Sequence, residues 1–306
     1  YLFCLKSFDI ILEIYSKGDF IMKRRLSFIL VLIILASTLL AACSSQPKSE
    51  VLTSSDTPSS SGKDTFVIGL EAGYAPFNWT QMDDSNGAVA MKDSAEFAGG
   101  YDVEIAKKIA EGLGKELVIV KTEWDGLLPA LTSGVIDAII AGMSPTAERA
   151  ESIDFTDNYY KSDLVMVVKK GGAYENATSL KDFKGAKITA QLNTFHYSVI
   201  DQIEGVKKET AMDNFPAMRV ALETGIIDGY VSEKPEAISA SSANPNFAFV
   251  EFEYGFETSD DDTAIAVGLQ KGSELVEKIN EVLSGISEQE RQSIMDAAIK
   301  NQPAAQ

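Results

Sequence analysis

The chain has 306 residues, a formal net charge of −18 at pH 7 and a hydrophobic content of 45%, which is typical of a globular protein. So negative a chain repels phosphate backbones, which argues against nucleic-acid binding. Cys4 and Cys43 are the only cysteines and His196 is the only histidine. The body of the protein therefore has no disulfide and no Cys- or His-rich metal site, and neither a metal nor a cofactor is expected.

The amino-terminal part has the pattern of a bacterial export signal. The first plausible start is Met22, and residues 1–21 are interpreted as upstream sequence. Residues 22–42, MKRRLSFILVLIILASTLLAA, have a basic start, a short apolar run and small residues, as in a secretory signal peptide. The LAAC that ends at Cys43 resembles the lipobox of bacterial lipoproteins, which implies that this cysteine is lipidated, with palmitate among its chains. A signal peptide with a chance cysteine is the alternative.

The segment after the cysteine differs in composition from the body. Residues 43–63 are rich in Ser, Thr and Pro and lack apolar residues to bury, so we predict a disordered tether. The body that follows has about 240 residues, enough for two modest domains.

Strands and helices alternate along this body. The patterns predict strands over 66–73, 116–122, 162–171 and 184–193, an amphipathic helix over 100–114 and closing helices over 273–300. Such alternation indicates an α/β protein with mainly parallel sheets covered on both faces. Ligands of such sheets bind beyond the carboxyl ends of the strands.

Two stretches of the body read alike: PALTSGVIDAIIAGMSPTAER and VALETGIIDGYVSEKPEA. Each predicts a helix ended by Gly134 or Gly225, a short turn, and a strand that begins near Asp137 or Asp228. The repeat indicates two similar lobes whose strand ends face each other across a cleft. A chance repetition of helix and strand patterns is the alternative.

The first of these strands opens into a polar segment with Ser144, Thr146 and Arg149. A guanidinium offers paired donors in the geometry that a carboxylate needs. Backbone N–H groups at a helix start add positive potential. The segment therefore predicts an anion site, with an ordinary helix N-cap and a solvent-exposed Arg149 as the alternative.

Several long motifs carry a family resemblance that covers nearly all of residues 64–300. They are EAGYAPFNW, GYDVEIAKKIAEGLG, TEWDGLLPALTSGVIDAIIAGMSPTAERAESIDFTDNYYKS, KDFKGAKITAQLNT and IIDGYVSEKPEA. Together they resemble the polar amino-acid-binding proteins of ABC importers. The resemblance implies a two-lobed, periplasmic-binding-protein-like (type II) Venus-flytrap fold that closes on one free amino acid.

The resemblance also implies boundaries and partners. Lobe 1 would comprise residues 64–160 plus 264–303 and lobe 2 residues 164–256, with hinge crossings near 161–163 and 257–263. The expected partners are a free amino acid and an ABC permease with its ATPase. The protein is expected to be a monomer, held by its lipid anchor on the extracytoplasmic face of the cell membrane of a Gram-positive bacterium.

Site residues follow from matching positions of the family. Arg149 matches the arginine that grips the ligand's α-carboxylate, and Ser144 with backbone N–H groups around Gly142 matches the rest of that seat. Glu233 lies where the family has an Asp that pairs with the α-ammonium, and a surface glutamate is the alternative. Thr194 matches a hydroxyl residue that binds the ligand backbone.

The same segment of lobe 2 departs from the family. Asn193 replaces a Gly and Phe195 a hydroxyl residue, which puts the fine contacts from lobe 2 in doubt. Phe195 and His196 are further candidates for ligand contact. An imidazole in the cleft would make binding sensitive to pH. A histidine packed at a helix start is the alternative.

Three residues bear on the ligand side chain. Tyr74 and Trp124 match aromatic positions that sandwich it, and two rings can hold an aliphatic stem or a guanidinium. Both being core aromatics is the alternative. Glu71 matches an acidic position that meets a distal charge in cationic-amino-acid binders, although glutamine binders carry an acid there too. A cationic or neutral polar ligand is expected, the cationic one being favoured.

Two other classes of function share this fold. One is an enzyme similar to cyclohexadienyl dehydratase, but the sequence offers no nucleophile–base pair, and we do not expect an enzyme. The other is a surface sensor or adhesin that reuses the fold. Residues 78–100 form a longer link than the family's, expected to be a hairpin or loop over the cleft rim.

Overall fold

The structure is a computed structural model, which describes residues 64–303. The predicted upstream segment, signal peptide, Cys43 anchor and tether lie outside these residues. The described residues belong to one compact unit, which contains both large sheets. Across the described part of the chain, each helix is too short or too polar to cross a membrane.

The strands and helices alternate as the sequence predicts. The strands are β1 (Thr65–Leu70), β2 (Gly73–Tyr74), β3 (Asn78–Gln81), β4 (Val89–Ala90), β5 (Phe97–Gly99), β6 (Glu116–Lys121), β7 (Ala138–Ile139), β8 (Ile153–Lys161), β9 (Leu164–Lys169), β10 (Lys187–Thr189), β11 (Lys207–Lys208), β12 (Gly229–Glu233), β13 (Phe247–Val250) and β14 (Ala264–Gln270). The helices are α1 (Tyr101–Gly112), α2 (Trp124–Thr132), α3 (Ala147–Ala150), α4 (Phe195–Val199), α5 (Phe215–Thr224), α6 (Lys234–Ala243), α7 (Leu275–Ser284) and α8 (Glu288–Asn301). Short 3₁₀ turns lie at Ser85–Gly87, Leu180–Phe183 and Ile200–Gln202.

Two five-stranded sheets share one topology. The first has the order β6-β1-β7-β14-β8 and the second β11-β10-β12-β9-β13. In each, the first three strands are parallel and the fourth is antiparallel to both of its neighbours. The sheets are therefore mixed, whereas the sequence predicted mainly parallel ones. The difference arises because β9 and β14 each begin just after the chain crosses from one sheet to the other.

The internal repeat has the same structural role in both sheets. Asp137 donates its N–H to the Val67 carbonyl at 2.7 Å, and its Oδ2 accepts the Val67 N–H at 2.8 Å. Asp228 donates to the Lys187 carbonyl at 2.8 Å and accepts the Lys187 N–H at 2.9 Å. Each aspartate thus joins the start of its strand to the neighbouring parallel strand. Gly225 ends α5 with a left-handed φ of 78°, as the sequence predicts.

Helix α1 packs between the first sheet and helix α7. Its apolar side is buried, and its first turn carries Asp102 and Glu104, which suit the positive end of a helix. Gly112 allows α7 to approach closely, since a Cβ there would lie 2.4 Å from a methyl carbon of Val282. The helix therefore bridges sheet and α7, and Tyr101 at its start is fully buried.

The two chain crossings lie side by side. The Ser162 N–H donates to the Thr263 carbonyl at 3.0 Å, and the Lys161 ammonium lies 2.6 Å from Asp260 Oδ1. The strands of the first sheet fall within 65–161 and 264–270 and those of the second within 164–250. The lobe boundaries stay a prediction, but these paired segments are the narrow connections that a hinge needs.

The segment between Phe77 and Tyr101 is more ordered than the expected hairpin or loop. Its strands join β2 in a small antiparallel sheet of order β2-β3-β5-β4. One side of this sheet, with Trp79, forms a groove of about 440 Å³ with α8. Strand β2 carries Tyr74 into the cleft between the large sheets.

Candidate ligand-binding site

The candidate site lies where strands of both sheets end. Glu71 follows β1 and Gly142 follows β7, while Gln191 follows β10 and Glu233 ends β12. Both sheets therefore present the carboxyl ends of parallel strands to one cleft, which is where ligands of α/β sheets bind.

Most of the predicted site residues share one pocket in this cleft. The residues from the prediction that line it are Tyr74, Trp124, Gly142, Ser144, Arg149, Thr194, Phe195 and His196. Glu71 and Glu233 do not line the pocket but are buried next to residues that do: Glu71 contacts Gln191, and Glu233 contacts His196. The pocket volume is about 10 Å³, which is the space of one water. An amino acid can therefore enter only if the two sides of the cleft move apart.

The segment of Arg149 has a helix N-cap, and the Arg149 guanidinium lies in the cleft. Thr146 caps helix α3 by accepting the Arg149 N–H at 3.4 Å, as in an ordinary N-cap. The guanidinium turns back into the cleft instead of pointing to solvent, and Nη1 donates to the Ser144 carbonyl at 2.9 Å. Its carbon lies 5.1 Å from the centre of the Trp124 ring, a cation–π distance. Burial lowers the pKa of Arg149 to about 10, so the group is a cation at neutral pH.

Gly142 has a different local role from the expected one. Its φ is 63°, and a Cβ would lie 2.7 Å from a Tyr74 ring carbon, so glycine is required here. Its N–H donates to the Tyr159 hydroxyl at 3.3 Å and is thus engaged within the protein. That hydroxyl donates to buried Asp102 at 2.7 Å. Burial raises the pKa of Asp102 to about 6, against the lowering effect of its bonds to Tyr159 and Asn78.

The aromatic residues are arranged differently from the expected sandwich. Tyr74 stacks on Phe215 from the other side of the cleft, with ring centres 4.3 Å apart and planes 13° apart. Trp124 covers Arg149 instead of facing Tyr74. Sequence reasoning missed Phe215. Its only signal is the helix start at which Asn214 accepts the Ala217 N–H at 3.0 Å.

Asn193, the departure from the family glycine, makes contacts across the cleft. Its φ is 55°, a left-handed value that Asn tolerates. Its carbonyl accepts from Arg149 Nη2 at 3.2 Å, and its amide donates to Asp125 Oδ1 at 2.9 Å. The Thr194 hydroxyl donates to the Gln191 carbonyl at 2.7 Å. This turn therefore holds the two sides of the cleft together.

Glu71 is a buried carboxyl group that contacts Gln191, the residue just beyond a strand of the second sheet. It is 6% exposed, and its Oε2 accepts from Gln191 at 3.0 Å across the cleft. Its Oε1 has no hydrogen-bond partner among the described residues. Burial raises the pKa of Glu71 to about 7, although the Gln191 bond lowers it.

Glu233 and His196 form a second buried pair. Glu233 is 2% exposed, so the surface-glutamate alternative is wrong. Its Oε1 lies 3.2 Å from His196 Nε2, without the alignment of a hydrogen bond, and Oε2 has no partner within the described chain. Burial, then the charge of Glu236, raises the pKa of Glu233 to about 8. Burial, then the charge of Arg149, lowers the pKa of His196 to about 3.

Within residues 64–303, no group of three or more His, Cys, Asp or Glu side chains is arranged to hold a metal ion. The site instead offers one guanidinium, two buried carboxyl groups and aromatic walls.

Comparison with known proteins gives the class to which this fold and cleft belong. Residues 66–299 match the family model of bacterial extracellular solute-binding proteins, family 3. The chain is 28% identical over 247 residues to the arginine-binding extracellular protein ArtP of Bacillus subtilis, covering 75% of this chain and 84% of ArtP. It is 31% identical over 236 residues to a probable histidine-binding protein of Campylobacter jejuni, covering 77% and 84%.

Solved structures agree. The amino-acid ABC transporter substrate-binding protein AbpA of Streptococcus pneumoniae, bound to L-arginine, matches with a TM-score of 0.67 and 27% identity. The match covers 77% of this chain and 94% of AbpA.

The chain belongs to the bacterial extracellular solute-binding proteins, family 3. It has the two-lobed α/β fold of amino-acid-binding proteins. It is the substrate-binding protein of an ABC transporter, and this binding protein acts outside the cytoplasm. The prediction of a polar amino-acid-binding protein is confirmed at the level of the family. Its relatives are binding proteins, not enzymes.

Proposed function

We propose that this protein binds one free amino acid, cationic or neutral polar, between Arg149 and the His196–Glu233 pair. It then delivers the amino acid to an ABC permease and its ATPase. A guanidinium and a buried imidazole–carboxyl pair at one pocket carry the proposal. The guanidinium suits an α-carboxylate, and buried carboxyl groups without a Lys or Arg partner in the described chain suit a cation.

Glu71 supports the choice of ligand class. Its free Oε1 is buried on the same side of the cleft as Tyr74 and Trp124, and Gln191 adds an amide beside it. A carboxyl and an amide side by side can accept from a guanidinium, an ammonium or an amide. ArtP and the Campylobacter jejuni protein are named for arginine and histidine, in line with a cationic or polar side chain; other relatives are named for L-cystine.

Hinge motion is the proposed mechanism. Because the pocket is small, ligand enters with the lobes apart and first meets Arg149 and Ser144 in lobe 1. Closure about 161–163 and 257–263 then brings Thr194 and His196 onto it. The closed form is favoured because it alone makes both sets of contacts, which is a difference in affinity between two states.

The amino-terminal segment and the single cleft suggest where and in what form the protein works. A lipid on Cys43 would hold the protein at the outer face of a Gram-positive cell membrane, with residues 43–63 as tether. A monomer suffices because one cleft contains the whole set of site residues.

A dehydratase of this fold is the alternative to a binding protein, and turnover of a prephenate-like substrate would favour it.

A thermal-unfolding screen of the purified protein against the twenty L-amino acids tests the proposal. Ligand at a thousandfold its Kd stabilises the native state by about 4 kcal/mol, a shift of several degrees in Tm. We expect a shift from arginine, lysine, histidine or glutamine and none from apolar amino acids. Cooperative unfolding with no shift from any of the twenty would refute the proposal.

A further inference from the structure

His196 stands between the pocket and Glu233. It lines the pocket, whereas Glu233 does not. Its Nε2 lies 3.2 Å from Glu233 Oε1, and its Nδ1 has no partner among the described residues, although the ring is only 6% exposed. A ligand atom on this side of the pocket therefore meets the imidazole before the carboxyl group.

The surroundings of Glu233 do not neutralise a negative charge. The charged and titratable groups near the pair are Arg149, Arg219, Tyr230, Lys234 and Glu236. Arg219 and the Tyr230 hydroxyl are bound to Glu236, at 2.8 and 3.0 Å. The Lys234 ammonium is 2.7 Å from exposed Glu251. A carboxylate buried without its own cation is costly, so Glu233 needs either a proton or a cation that arrives from the pocket.

We infer that His196, backed by Glu233, receives the ligand's α-ammonium, and that each ligand bound expels one proton from this pair. The inference rests on the proposed function and departs from direct carboxylate–ammonium contact. His196 is the binding residue, and Glu233 is a positioning residue that acts through it.

The proton balance is simple. Before binding, the Glu233 carboxyl keeps its proton near Nε2, and Nδ1 carries the imidazole proton. On binding, the carboxyl proton moves to Nε2 and the Nδ1 proton leaves to solvent. The ammonium then donates to Nδ1 while Nε2–H donates to the carboxylate. One positive charge enters and one leaves, so the site keeps its net charge in a poorly solvated place. The raised pKa of Glu233, about 8, and the lowered pKa of His196, about 3, agree with a pair that is uncharged at neutral pH.

Calorimetric titration of the wild-type protein tests this inference directly. L-arginine, L-lysine, L-histidine and L-glutamine are the probes, each titrated at pH 7 in phosphate and in Tris. The dependence of the observed heat on the buffer's ionisation enthalpy gives the number of protons released. We expect close to one proton per ligand, and a Kd that falls about tenfold per unit as pH rises from 5.5 to 7.5.

Two variants assign the proton. Glu233→Gln keeps the shape of a protonated carboxyl but has no proton to lose, so proton release falls by about one proton per ligand. What remains, and the remaining dependence of Kd on pH, is the contribution of Glu71, whose pKa is also raised. His196→Phe removes the acceptor and weakens binding at pH 7 by tenfold or more. Glu251→Gln is the matched control, an exposed carboxyl beside α6, and keeps the wild-type proton number. Circular dichroism melts establish that each variant is folded.

The outcomes separate the two proposals. Wild-type binding without proton release overturns the inference and leaves the proposed function intact. A wild-type proton number in Glu233→Gln overturns it as well, because the proton then comes from another group. Failure of the folded wild type to bind any of the twenty L-amino acids refutes the proposed function itself, and with it this inference.

Discussion

Replacement of Arg149 tests the carboxylate seat. In the closed cleft the guanidinium donates to the Ser144 carbonyl at 2.9 Å and, across the cleft, to the Asn193 carbonyl at 3.2 Å, and it lies 5.1 Å from the centre of the Trp124 ring. Opening of the cleft removes the Asn193 contact and leaves Nη2 for the ligand, while Ser144 and Trp124 still orient the group. Removing one partner of a buried, charge-assisted pair costs about 2–5 kcal/mol of binding. At 1.4 kcal/mol per tenfold, Arg149→Ala should raise Kd by roughly 30-fold to 4,000-fold.

Arg149→Lys separates charge from shape. It keeps a cation but loses the paired donors, so we expect a loss of about 1–2 kcal/mol, roughly tenfold in Kd. Arg291→Lys is the matched control: Arg291 also donates to backbone carbonyls, those of Asn158 and Leu283, but lies outside the pocket. Calorimetry with the amino acid that most raises Tm is the assay. A Kd for Arg149→Ala within threefold of wild type would refute the assignment.

Three further predictions concern stability. Folded Glu233 keeps its proton up to about pH 8, whereas an unfolded glutamate loses it near pH 4.5, so the free energy of unfolding of the wild type decreases as pH rises from 4.5 to 8. The Tm of Glu233→Gln should therefore exceed that of the wild type by more at pH 8 than at pH 5, and a constant difference would contradict this. Gly142→Ala should cost about 1–3 kcal/mol in urea unfolding, because φ is 63° and Tyr74 blocks the Cβ; an unchanged midpoint would contradict the geometry. Asp137→Ala and Asp228→Ala should each cost about 1 kcal/mol and add in the double variant, because the sites lie in different sheets, and strong non-additivity would contradict this.

Local features were predictable from sequence because they depend on neighbours along the chain. Gly225 ends a helix, and Asp137 and Asp228 begin strands, since capping and turn chemistry are local. The pocket position of Arg149 followed from a family motif of adjacent residues.

Features that depend on contact between distant segments were not predictable. Glu71 and Gln191 are 120 residues apart and meet only across the cleft. Phe215 reads as an ordinary first residue of a helix, yet it is the stacking partner of Tyr74. The direction of β14 depends on the chain's return from the second sheet, which alternation of strands and helices does not encode.

The central claim is that the cleft holds a free amino acid by both its charged ends. The most direct test is calorimetric titration with L-arginine and with L-arginine methyl ester, in which the α-carboxylate is masked while the side chain is kept. The account predicts one arginine per chain and a Kd that is about 30-fold or more higher for the ester, because Arg149 loses its anion. Equal affinity for acid and ester would contradict the carboxylate seat on which the account depends.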